Sequence, residues 1–475
     1  MSTKVTVTFE QAIQAIKESD FSAGQPYEYS DLKKALKIKF PQINDNQVSG
    51  LITRLTKSEK NAVFTIYKEV GSRNKYIYSS NLSSEITTKK YELTNISKSL
   101  EYCNLYRIRA LKDLNNGRVK KGDLGGFVES EVNLSHEGDS WIHEEAAVYK
   151  DAVVSENAQV YESAVVKHAQ IYGNAQVYGN AHVTGKIIIY DNAQVYGNTY
   201  LYNDPVFGEG NIKVYGSAII HGNAYVGDNV QVFDNARVYG DSRASGDSKV
   251  YGSAIIHGNT HVGDNVQVFD SAQVYGDSKV SHNVKVYGNA RVYDFSRLCD
   301  ESEVYENAIL HGDVEVCGNA KVYGSAEIYG NGSINGQVYI AGNARVYGNA
   351  RVSGYSRLCG KSKVYENAFV YGSAQIDENA KIYGRAVVCG VGFDHSVNVR
   401  ISGSAEIYGD AILHGRGNVD IKDNAKIYDH AQTLGHSIYI ADNVQVYENA
   451  VIHDEVFLEG NTRIYGQTEV KSDDE

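Results

Sequence analysis

The stretch KVYGSAIIHGN occurs at residues 213–223 and again, unchanged, at residues 249–259. Around both copies the chain repeats a six-residue pattern, best written A-x-V-Y-G-N, from about residue 147 to residue 470. A valine or isoleucine recurs at every sixth position, and a small residue, mostly alanine, lies two places before it. Such self-similarity at a short fixed period is typical of solenoids, in which each repeat packs only on its neighbours.

The six-residue period predicts a left-handed β-helix, in which three such repeats form the three sides of one triangular coil. The aliphatic residue fills the middle of each side, and the small residue fits the tight corner. Gly, Asn and Asp supply the positive φ angles that the turns require. The two identical stretches begin at residues 213 and 249, so they are separated by two coils. We therefore predict a mainly β protein of about 18 coils, with a rise of ~4.8 Å per coil.

The phase of the repeat slips at five places. One residue is missing near Ile171, and one is added within 205–211. The pattern also breaks at 390–400, 416–419 and 430–434. We expect corner bulges or small loops there.

Residues 1–81 lack the repeat and predict a small α+β domain. Helices are expected to begin at Thr8, Ser30 and Asn44, and a hairpin to join the strand-like runs 62–70 and 75–79. Three helices followed by a hairpin are typical of a winged helix, whose third helix is the recognition helix and whose hairpin tip is the wing. This predicts a winged-helix-like domain over residues 1–81.

The remaining boundaries follow from composition. Residues 82–100 are rich in Ser, Thr and Lys and are interpreted as a linker. A cap segment of the β-helix then covers 101–146, the β-helix itself covers 147–470, and an acidic tail covers 471–475.

Charge and cysteine content narrow the class of protein. Residues 1–129 hold 21 basic and 14 acidic residues, whereas the rest of the chain holds 25 basic and 44 acidic ones, which suggests two domains with different partners. No apolar run of ~18 residues or signal-peptide core occurs, so we expect no membrane span and a cytoplasmic location.

The five cysteines, with no CxxC pair, are expected to be free and reduced. No phosphate-binding glycine motif is present, and no cofactor is expected.

The segment 106–142 resembles the first part of the YdcK-like proteins, a group of bacterial and phage hexapeptide-repeat proteins described as acyltransferases. The residues that carry the resemblance are Arg107, Ala110, Leu111, Asp113, Gly122, Asp123, Gly125, Gly126, Phe127, Glu129, Glu131, Asn133, Leu134, Ser135 and Trp141. The resemblance covers about residues 100–470 and implies a left-handed β-helix in a phage-like protein of a bacterial host. The acyltransferase description of that group is inferred from its fold, and a fold does not specify chemistry.

Residues one coil apart are expected to stack, which places the outward residue after each core valine in one of three columns. The first column is an aromatic ladder: Tyr215, Phe233, Tyr251, Phe269, Tyr287, Tyr305 and Tyr323. The second mixes tyrosine and histidine: His221, Tyr239, His257, Tyr275, Tyr293, His311, Tyr329, Tyr347, Tyr365 and Tyr383. The third is nearly bare: Gly227, Ser245, Gly263, Ser281, Cys299, Cys317, Asn335 and Ser353.

The columns admit a structural and a functional interpretation. Stacked rings stabilise the coils beneath them, but contiguous exposed aromatic surface also marks interfaces. The bare column, Gly227, Ser245, Gly263 and Ser281, is predicted to be the seam of a homo-oligomer, a trimer or a dimer. The regular spacing of His221, His257 and His311 favours substitution for tyrosine over a catalytic base or a metal site. Cys299 and Cys317 lie one coil apart, close enough for a metal or a disulfide, but two thiols alone rarely make a metal site.

The N-terminal domain offers candidate contacts to DNA. The proposed binding residues are Gln47, Ser49, Arg54 and Lys57 on the third helix and Arg73 and Lys75 on the wing. Such cations fit phosphate contacts, whereas Gln47 and Ser49 suit base edges. A solvated surface or a protein contact would explain the same residues.

The sequence thus supports three hypotheses about function. The first is a non-enzymatic binding or scaffold protein, in which an oligomeric, acidic, tyrosine-lined β-helix binds or blocks a protein partner and the N-terminal domain contacts DNA or a host protein. The second is an acyltransferase that uses a histidine in a groove between subunits. The third is a transcription regulator in which the β-helix serves for oligomerisation.

Overall fold

A computed structural model describes residues 11–12, 15–16, 26–27, 29–45, 47–49, 51–52, 64–67, 75–78, 89–203, 211–390 and 399–471. The chain divides into two compact units, Met1–Lys89 and Lys90–Glu475. None of the helical segments in the described ranges is long and apolar enough to cross a membrane.

The Met1–Lys89 unit combines helical segments with a small antiparallel sheet. Helix α1 spans Tyr29–Lys39, and residues 11–12, 15–16, 45, 47–49 and 51–52 are also helical. Strand β3 (Lys75–Tyr78) pairs with both β1 (Pro26–Tyr27) and β2 (Phe64–Tyr67). The buried core of this unit comprises Ala12, Ala15, Ile16, Leu32, Leu36, Ile43, Val48, Leu51 and Ile52.

Two of the predicted features of this unit are confirmed. The β2–β3 pairing is the predicted hairpin. Asn44 caps the third helical segment, since its Oδ1 accepts from Gln47 N and Gln47 Oε1 accepts from Asn44 N, both at 3.0 Å. The predicted start at Thr8 and the wing tip at 71–74 lie outside the described residues, and the winged-helix assignment stays a prediction.

Residues 90–100 belong to the cap of the solenoid, so the prediction of a linker over 82–100 is wrong for this part. Strand β4 (Tyr91–Leu100) pairs antiparallel with β5 (Cys103–Ala110) through a tight turn at Glu101 and Tyr102, both with positive φ. Strand β5 in turn pairs antiparallel with β6 (Leu124–Val128). Short 3₁₀ turns at Asn115–Gly117 and Glu131–Asn133 complete the cap segment.

Two fully buried residues explain why this polar stretch is ordered. Lys90 Nζ donates to Ser140 O at 2.6 Å and to Ser140 Oγ at 2.9 Å, and the Tyr91 hydroxyl donates to Leu134 O at 2.9 Å. Trp141, also buried, packs edge-on against the Tyr91 ring. Composition alone indicates a linker because, after Tyr91, the residues of β4 are half-buried or exposed and mostly polar.

The rest of the unit is a parallel β-solenoid whose coils have three flat faces, here called faces 1, 2 and 3 in the order of the three columns above. Strand β6 starts face 3 by pairing in parallel with Ala147–Tyr149. Face 2 contains 18 strands, which gives about 18 coils as predicted. The parallel pairing and the length of a coil, three repeats, are confirmed by the strand register, whereas the left hand of the coil stays a prediction.

The strands of face 1 are Val153–Val154, Ile212–Val214, Gln231–Val232, Lys249–Val250, Gln267–Val268, Lys285–Val286, Glu303–Val304, Lys321–Val322, Tyr339–Ile340, Arg357–Leu358, Ala374–Ile376, Val399–Ile401, Val419–Ile421, Ile438–Ile440 and Phe457–Leu458. The strands of face 2 are Trp141–Ile142, Gln159–Val160, Gln176–Val177, Gln194–Val195, Ile219–Ile220, Arg237–Val238, Ile255–Ile256, Gln273–Val274, Arg291–Val292, Ile309–Gly312, Glu327–Gly330, Arg345–Val346, Lys363–Val364, Lys381–Ile382, Glu406–Ile407, Lys426–Ile427, Gln445–Val446 and Arg463–Ile464. The strands of face 3 after β6 are Ala147–Tyr149, Tyr200–Tyr202, Tyr225–Gly227, Arg243–Ala244, His261–Val262, Lys279–Val280, Arg297–Leu298, Glu315–Val316, Ser333–Gly336, Arg351–Gly354, Phe369–Gly372, Val387–Gly390, Ile412–Gly415, Gln432–Gly435, Val451–Ile452 and Glu469–Val470. Two longer strands, Val165–Ile171 and His182–Ile189, run from face 3 around the corner into face 1.

The strand register confirms four of the five predicted phase slips. Val160 pairs with Val177, one residue short of a full coil, which places the missing residue near Ile171. The coils that contain 204–210 and 391–398 each exceed three repeats by a whole repeat and one residue, as the pairs Val195–Ile220 and Ile376–Ile401 show. The phase therefore slips by one residue within 205–211 as predicted, but the insertion is longer than the single residue expected, and both 204–210 and 391–398 lie outside the described residues. Extra residues at 416–419 lengthen the next coil, in which Ile401 pairs with Ile421.

The fifth predicted break, at residues 430–434, is wrong. Ile427 and Thr433 keep the normal spacing of one repeat, and the extra residue of this coil lies between Gly435 and Ile438. Gly435 and Ser437 absorb it with φ angles of 143° and 58°.

Acidic residues have a structural role at the corners of the coils. At many corners an Asp or Glu with positive φ accepts a hydrogen bond from the backbone N–H of a glycine one coil on, at 2.8–3.1 Å. One such pair is Asp234 and Gly252, where Gly252 N donates to Asp234 Oδ2 at 3.1 Å. Gly252 itself has a φ of 69°, and a Cβ there would lie 2.9 Å from Asp270 N, so glycine suits this position. The acidic character of the solenoid is thus partly a property of its turns.

Candidate binding surfaces of the solenoid

Face 2 carries one aromatic ring on every coil. Its rings are His143, Tyr161, Tyr178, Tyr196, His221, Tyr239, His257, Tyr275, Tyr293, His311, Tyr329, Tyr347, Tyr365, Tyr383, Tyr408, Tyr428, Tyr447 and Tyr465. Successive rings are stacked within 16° of parallel, except for the edge-on pair Tyr161 and Tyr178. The stacking predicted for the second column is present and extends over the whole solenoid. We call this set the long ladder.

Face 1 carries a shorter ladder of the same kind. Its rings are Tyr172, Tyr190, Tyr215, Phe233, Tyr251, Phe269, Tyr287, Tyr305 and Tyr323. The core residue Val214 is buried, whereas Phe233 and Tyr251 stack outside it with centroids 4.9 Å apart. This is the predicted arrangement of one residue inside and two outside.

The rings of both ladders present their edges to solvent. In the middle of the long ladder, centroids are 4.7–5.2 Å apart and the planes lie within 7° of one another. Aromatic rings at this distance are in offset stacking, with each face covered by the next ring. Hydroxyl groups and ring edges therefore line the outer surface, and ring faces are available only at the ends of a ladder.

The column beside the long ladder on face 2, here called the basic column, holds seven cations and two acids among neutral residues. The cations at this position are Arg237, Arg291, Arg345, Lys363, Lys381, Lys426 and Arg463, and the acids among them are Glu327 and Glu406. Both acids are paired, since Arg345 Nε lies 3.1 Å from Glu327 and Lys381 Nζ lies 2.9 Å from Glu406. Burial raises the pKa of Glu406, but Lys381 and Lys426 outweigh burial and hold it below its usual value. The sequence predicted one surface that is both acidic and lined with tyrosine. In the structure the tyrosines share their flat face with cations, whereas many of the acids lie at the corners.

The three ladder histidines are rungs between tyrosines. The rings of His221, His257 and His311 lie 4.8–5.2 Å from the rings on either side. Burial lowers the pKa of both His221 and His257, which keeps them neutral near pH 7. His311 also approaches Glu327 at 3.5 Å. This arrangement agrees with substitution for tyrosine.

The bare column on face 3 also has a column of polar, mostly cationic residues beside it. Exposed Arg243, His261, Lys279 and Arg297 stack there on consecutive coils. At its first position the column is covered, because the Tyr225 ring leans across Gly227. Gly263 and Ser245 lie side by side, as expected for neighbours on adjacent coils. The role of Gly227, Ser245, Gly263 and Ser281 as an oligomer seam stays a prediction.

Cys299 and Cys317 form a disulfide on face 3. This corrects the expectation that all five cysteines are free; Cys103, Cys359 and Cys389 are. Stacked coils place the two Cα atoms 4.7 Å apart, within the range of ~4.4–6.8 Å that a disulfide spans.

Two cavities lie where coils are longer than three repeats, and sequence reasoning missed both. The first, of 310 Å³, is lined by His414, Arg416, Leu434, Gly435, His436 and Asp454. The second, of 350 Å³, is lined by Gln375, Arg400, Asn418, Val419 and Asp420. The phase slips predicted at 390–400 and 416–419 were the available signal, because both cavities lie beside coils that are longer than three repeats.

The proposed DNA-binding residues of the Met1–Lys89 unit are only partly described. Gln47 holds the helix cap described above, and the Ser49 hydroxyl is 2.6 Å from the Tyr29 hydroxyl, so both polar groups have partners within the unit. Lys75 starts strand β3. Arg54, Lys57 and Arg73 lie outside the described residues.

Comparison with known families agrees with this architecture. Residues 169–185, 230–246 and 344–360 match the model of the YdcK β-solenoid repeat. No curated protein matches the chain. Together with the parallel solenoid of about 18 coils, these matches support a YdcK-like β-solenoid repeat protein.

Proposed function

We propose that the chain is a non-enzymatic binding scaffold, and that face 2 binds a protein partner with an acidic surface. The observation that carries this proposal is the long ladder with the basic column beside it, because both lie side by side on one flat face. Tyrosine and arginine are enriched in protein interfaces, where each offers a large contact area with a polar end. The partner is therefore expected to present carboxylates along an extended surface.

Ring geometry favours a protein over a single-stranded nucleic acid as this partner. Single-stranded nucleic acids bind by stacking their bases on open aromatic faces. In the long ladder those faces are covered by neighbouring rings at about the coil spacing, as between Tyr329 and Tyr347 at 4.7 Å. Hydroxyl groups and cations remain for hydrogen bonds and ion pairs with carboxylates.

The acyltransferase hypothesis is the alternative from another class. The rung positions of His221, His257 and His311 favour the scaffold, because repeated, stacked rings replace tyrosine without a change in geometry. Calorimetric titration of the full chain with acetyl-CoA separates the two hypotheses. Saturable binding would favour the enzyme, and the scaffold requires none.

The same proposal assigns separate partners to the two units. The Met1–Lys89 unit contacts DNA or a host protein, and the solenoids associate along the bare column of face 3 as a dimer or trimer in the cytoplasm of a phage-infected bacterium. DNA binding through phosphates would weaken steeply as salt rises, whereas a protein contact with few charges would not. A DNA shift assay of the full chain at two salt concentrations tests this part and the regulator hypothesis, and light scattering tests the oligomer.

A charge-reversal experiment tests the partner of face 2. The double variant Arg237→Glu with Arg291→Glu reverses two exposed cations beside the long ladder. The matched control, Lys249→Glu with Lys279→Glu, makes the same change in net charge at exposed positions on faces 1 and 3. Proteins cross-linked to the wild type in host lysate should be lost with the first variant and kept with the second. Equal retention by both variants would refute face 2 as the binding surface.

A further inference from the structure

We propose that Cys299, Cys317 and Asp300 form a site for a thiophilic divalent cation such as Zn²⁺, which opens when the two cysteines are reduced and closes when they join as a disulfide. The two cysteines stack on adjacent coils of face 3. One ligand atom from each of the three residues, the two Sγ atoms and a carboxylate oxygen, lies within 4.8 Å of the others. Thiolates with a carboxylate are a donor set that zinc accepts in proteins.

A fourth donor atom, a carboxylate oxygen, lies beside the cluster. Glu315 Oε1 is 3.8 Å from Cys317 Sγ. Zinc bonds of about 2.3 Å to sulfur and 2.0 Å to oxygen place tetrahedral ligands roughly 3.5–3.8 Å apart. The observed spacing therefore needs only small side-chain movements once the sulfur atoms separate.

The backbone orients the Asp300 carboxylate toward the sulfur atoms. Asp300 occupies a corner with a φ of 62°, and its Oδ2 accepts a hydrogen bond from Gly318 N at 2.9 Å. That bond fixes the carboxylate plane and leaves Oδ1 for a cation. Such supporting hydrogen bonds are typical of metal ligands.

The charges of the reduced cluster also favour a cation. After the two thiols lose their protons, two thiolates and two carboxylates would repel one another unless a positive charge lies among them. Arg297 is opposite Glu315 in the strand pairing, but its side chain is exposed. A metal ion bound between Cys299 and Cys317 would neutralise the cluster directly.

The redox step balances with a small dithiol as reductant. The dithiol gives two electrons and two protons to the Cys299–Cys317 bond, which breaks into two thiols, and the dithiol becomes a cyclic disulfide. Binding of the cation then releases the two thiol protons as the sulfur atoms become thiolate ligands. The reverse exchange uses the cyclic disulfide of the dithiol as oxidant: it takes two electrons from the two thiolates and two protons from solvent, and the Cys299–Cys317 bond forms again. This step releases the cation, because a disulfide sulfur is no longer an anionic donor.

The test uses the full chain, reduced with a dithiol, desalted without oxygen and titrated with Cd²⁺, whose thiolate complexes absorb in the ultraviolet. Thiol counts in denaturant should give five free cysteines after reduction and three before it. Reduced wild type should bind one Cd²⁺ per chain with this absorbance, Zn²⁺ should displace it, and the oxidised chain should bind none.

Matched variants distinguish this site from other thiols. Cys299→Ser and Cys317→Ser should each abolish the absorbance, whereas Cys359→Ser, a free cysteine on face 1, should keep it. Asp300→Asn preserves the turn, since asparagine tolerates positive φ, and should weaken binding about 10- to 100-fold. A reduced chain with five thiols that binds no Cd²⁺ would overturn the proposal. So would a bond that the dithiol fails to open, or equal loss of binding in Cys359→Ser.

Discussion

The cap segment, which in the structure comprises residues 90–142 and not the predicted 101–146, is stabilised differently from the coils that follow it. In the cap segment each contact is made once: buried Lys90 has its own carbonyl partner, Tyr91 has another, and Trp141 fills a single space. In the coils the same valine, the same corner hydrogen bond and the same ring contact recur along the chain. Solenoid stability is approximately a sum over neighbouring coils. One substitution should therefore cost more in the cap segment than in a coil.

The largest effect is expected from Gly126→Ala in the cap segment. A Cβ at this position would lie 2.5 Å from both Ala146 O and Ile142 Cγ2, so backbone must move. We expect a loss of about 3 kcal/mol in the free energy of unfolding, the upper range for overpacking. Denaturant unfolding followed by circular dichroism measures it. Gly332→Ala is the control, because its nearest neighbour, the Ile328 side chain, is 3.2 Å away; an equal loss in both variants would contradict the comparison.

Lys90→Met should have the next largest effect. The ammonium group is buried and donates to both oxygens of Ser140. Its removal leaves buried acceptors unsatisfied, at a cost of about 2 kcal/mol. The control is Lys279→Met, which alters an exposed lysine of a coil. Its free energy of unfolding should differ from the wild type by less than about 0.5 kcal/mol. If the two variants unfold alike, Lys90 does not stabilise the cap.

Loss of a single ring of the long ladder should lower the free energy of unfolding by less than either cap variant does. Tyr275→Leu removes stacking with His257 and Tyr293, at centroid distances of 4.9 and 4.8 Å. Aromatic pairs contribute about 0.5–1.5 kcal/mol beyond burial, so a loss of about 1 kcal/mol is expected. Ser281→Ala on the bare column is the control. A loss above about 3 kcal/mol, the figure expected for Gly126→Ala, would contradict the claim that one substitution costs less in a coil than in the cap segment.

The smallest effect at neutral pH is expected from His221→Tyr combined with His257→Tyr, which copies the neighbouring rungs. Burial lowers the pKa of both histidines in the folded chain. Below pH ~6.5 the unfolded chain therefore binds protons that the folded chain rejects, and wild-type stability falls as pH drops. The double variant should lose this part of the pH dependence between pH 7 and 5, as measured by thermal unfolding. An identical pH profile would show that the histidines do not contribute to it.

Local chemistry made the coils predictable. Each side needs an aliphatic centre, a small residue before it and a turn residue after it, so the period appears directly in the sequence. The stacking of Phe233 on Tyr251 followed from the length of the coil alone. The phase slip at 416–419 was visible for the same reason.

Contacts that occur once were harder to predict. Nothing in the polar run around Tyr91 indicates that it closes the end of a solenoid, because its hydrogen-bond partner, Leu134 O, belongs to a distant part of the chain. The placement of the extra residue after Gly435 rather than at 430–434 depends on which turn accepts it. The spacing of one coil showed that Cys299 and Cys317 lie close enough for a disulfide, but whether the bond forms depends on their side-chain rotamers.

At many corners of the coils the backbone N–H of a glycine donates a hydrogen bond to the carboxylate one coil before it, and this contact also limits how the gene can lengthen by duplication. Along one corner, glycine and acid alternate: Gly216, Asp234, Gly252, Asp270, Gly288 and Glu306. Where an acid instead follows an acid, as in Asp423 and Asp442, the hydrogen bond is longer, at 3.4 Å, and two negative charges stack. Duplication of two coils keeps a glycine next to every acid of this corner. Duplication of a single coil instead places an acid next to an acid or a glycine next to a glycine. Two coils are therefore the unit by which this stretch lengthens without loss, as the identical copies at 213–223 and 249–259 illustrate.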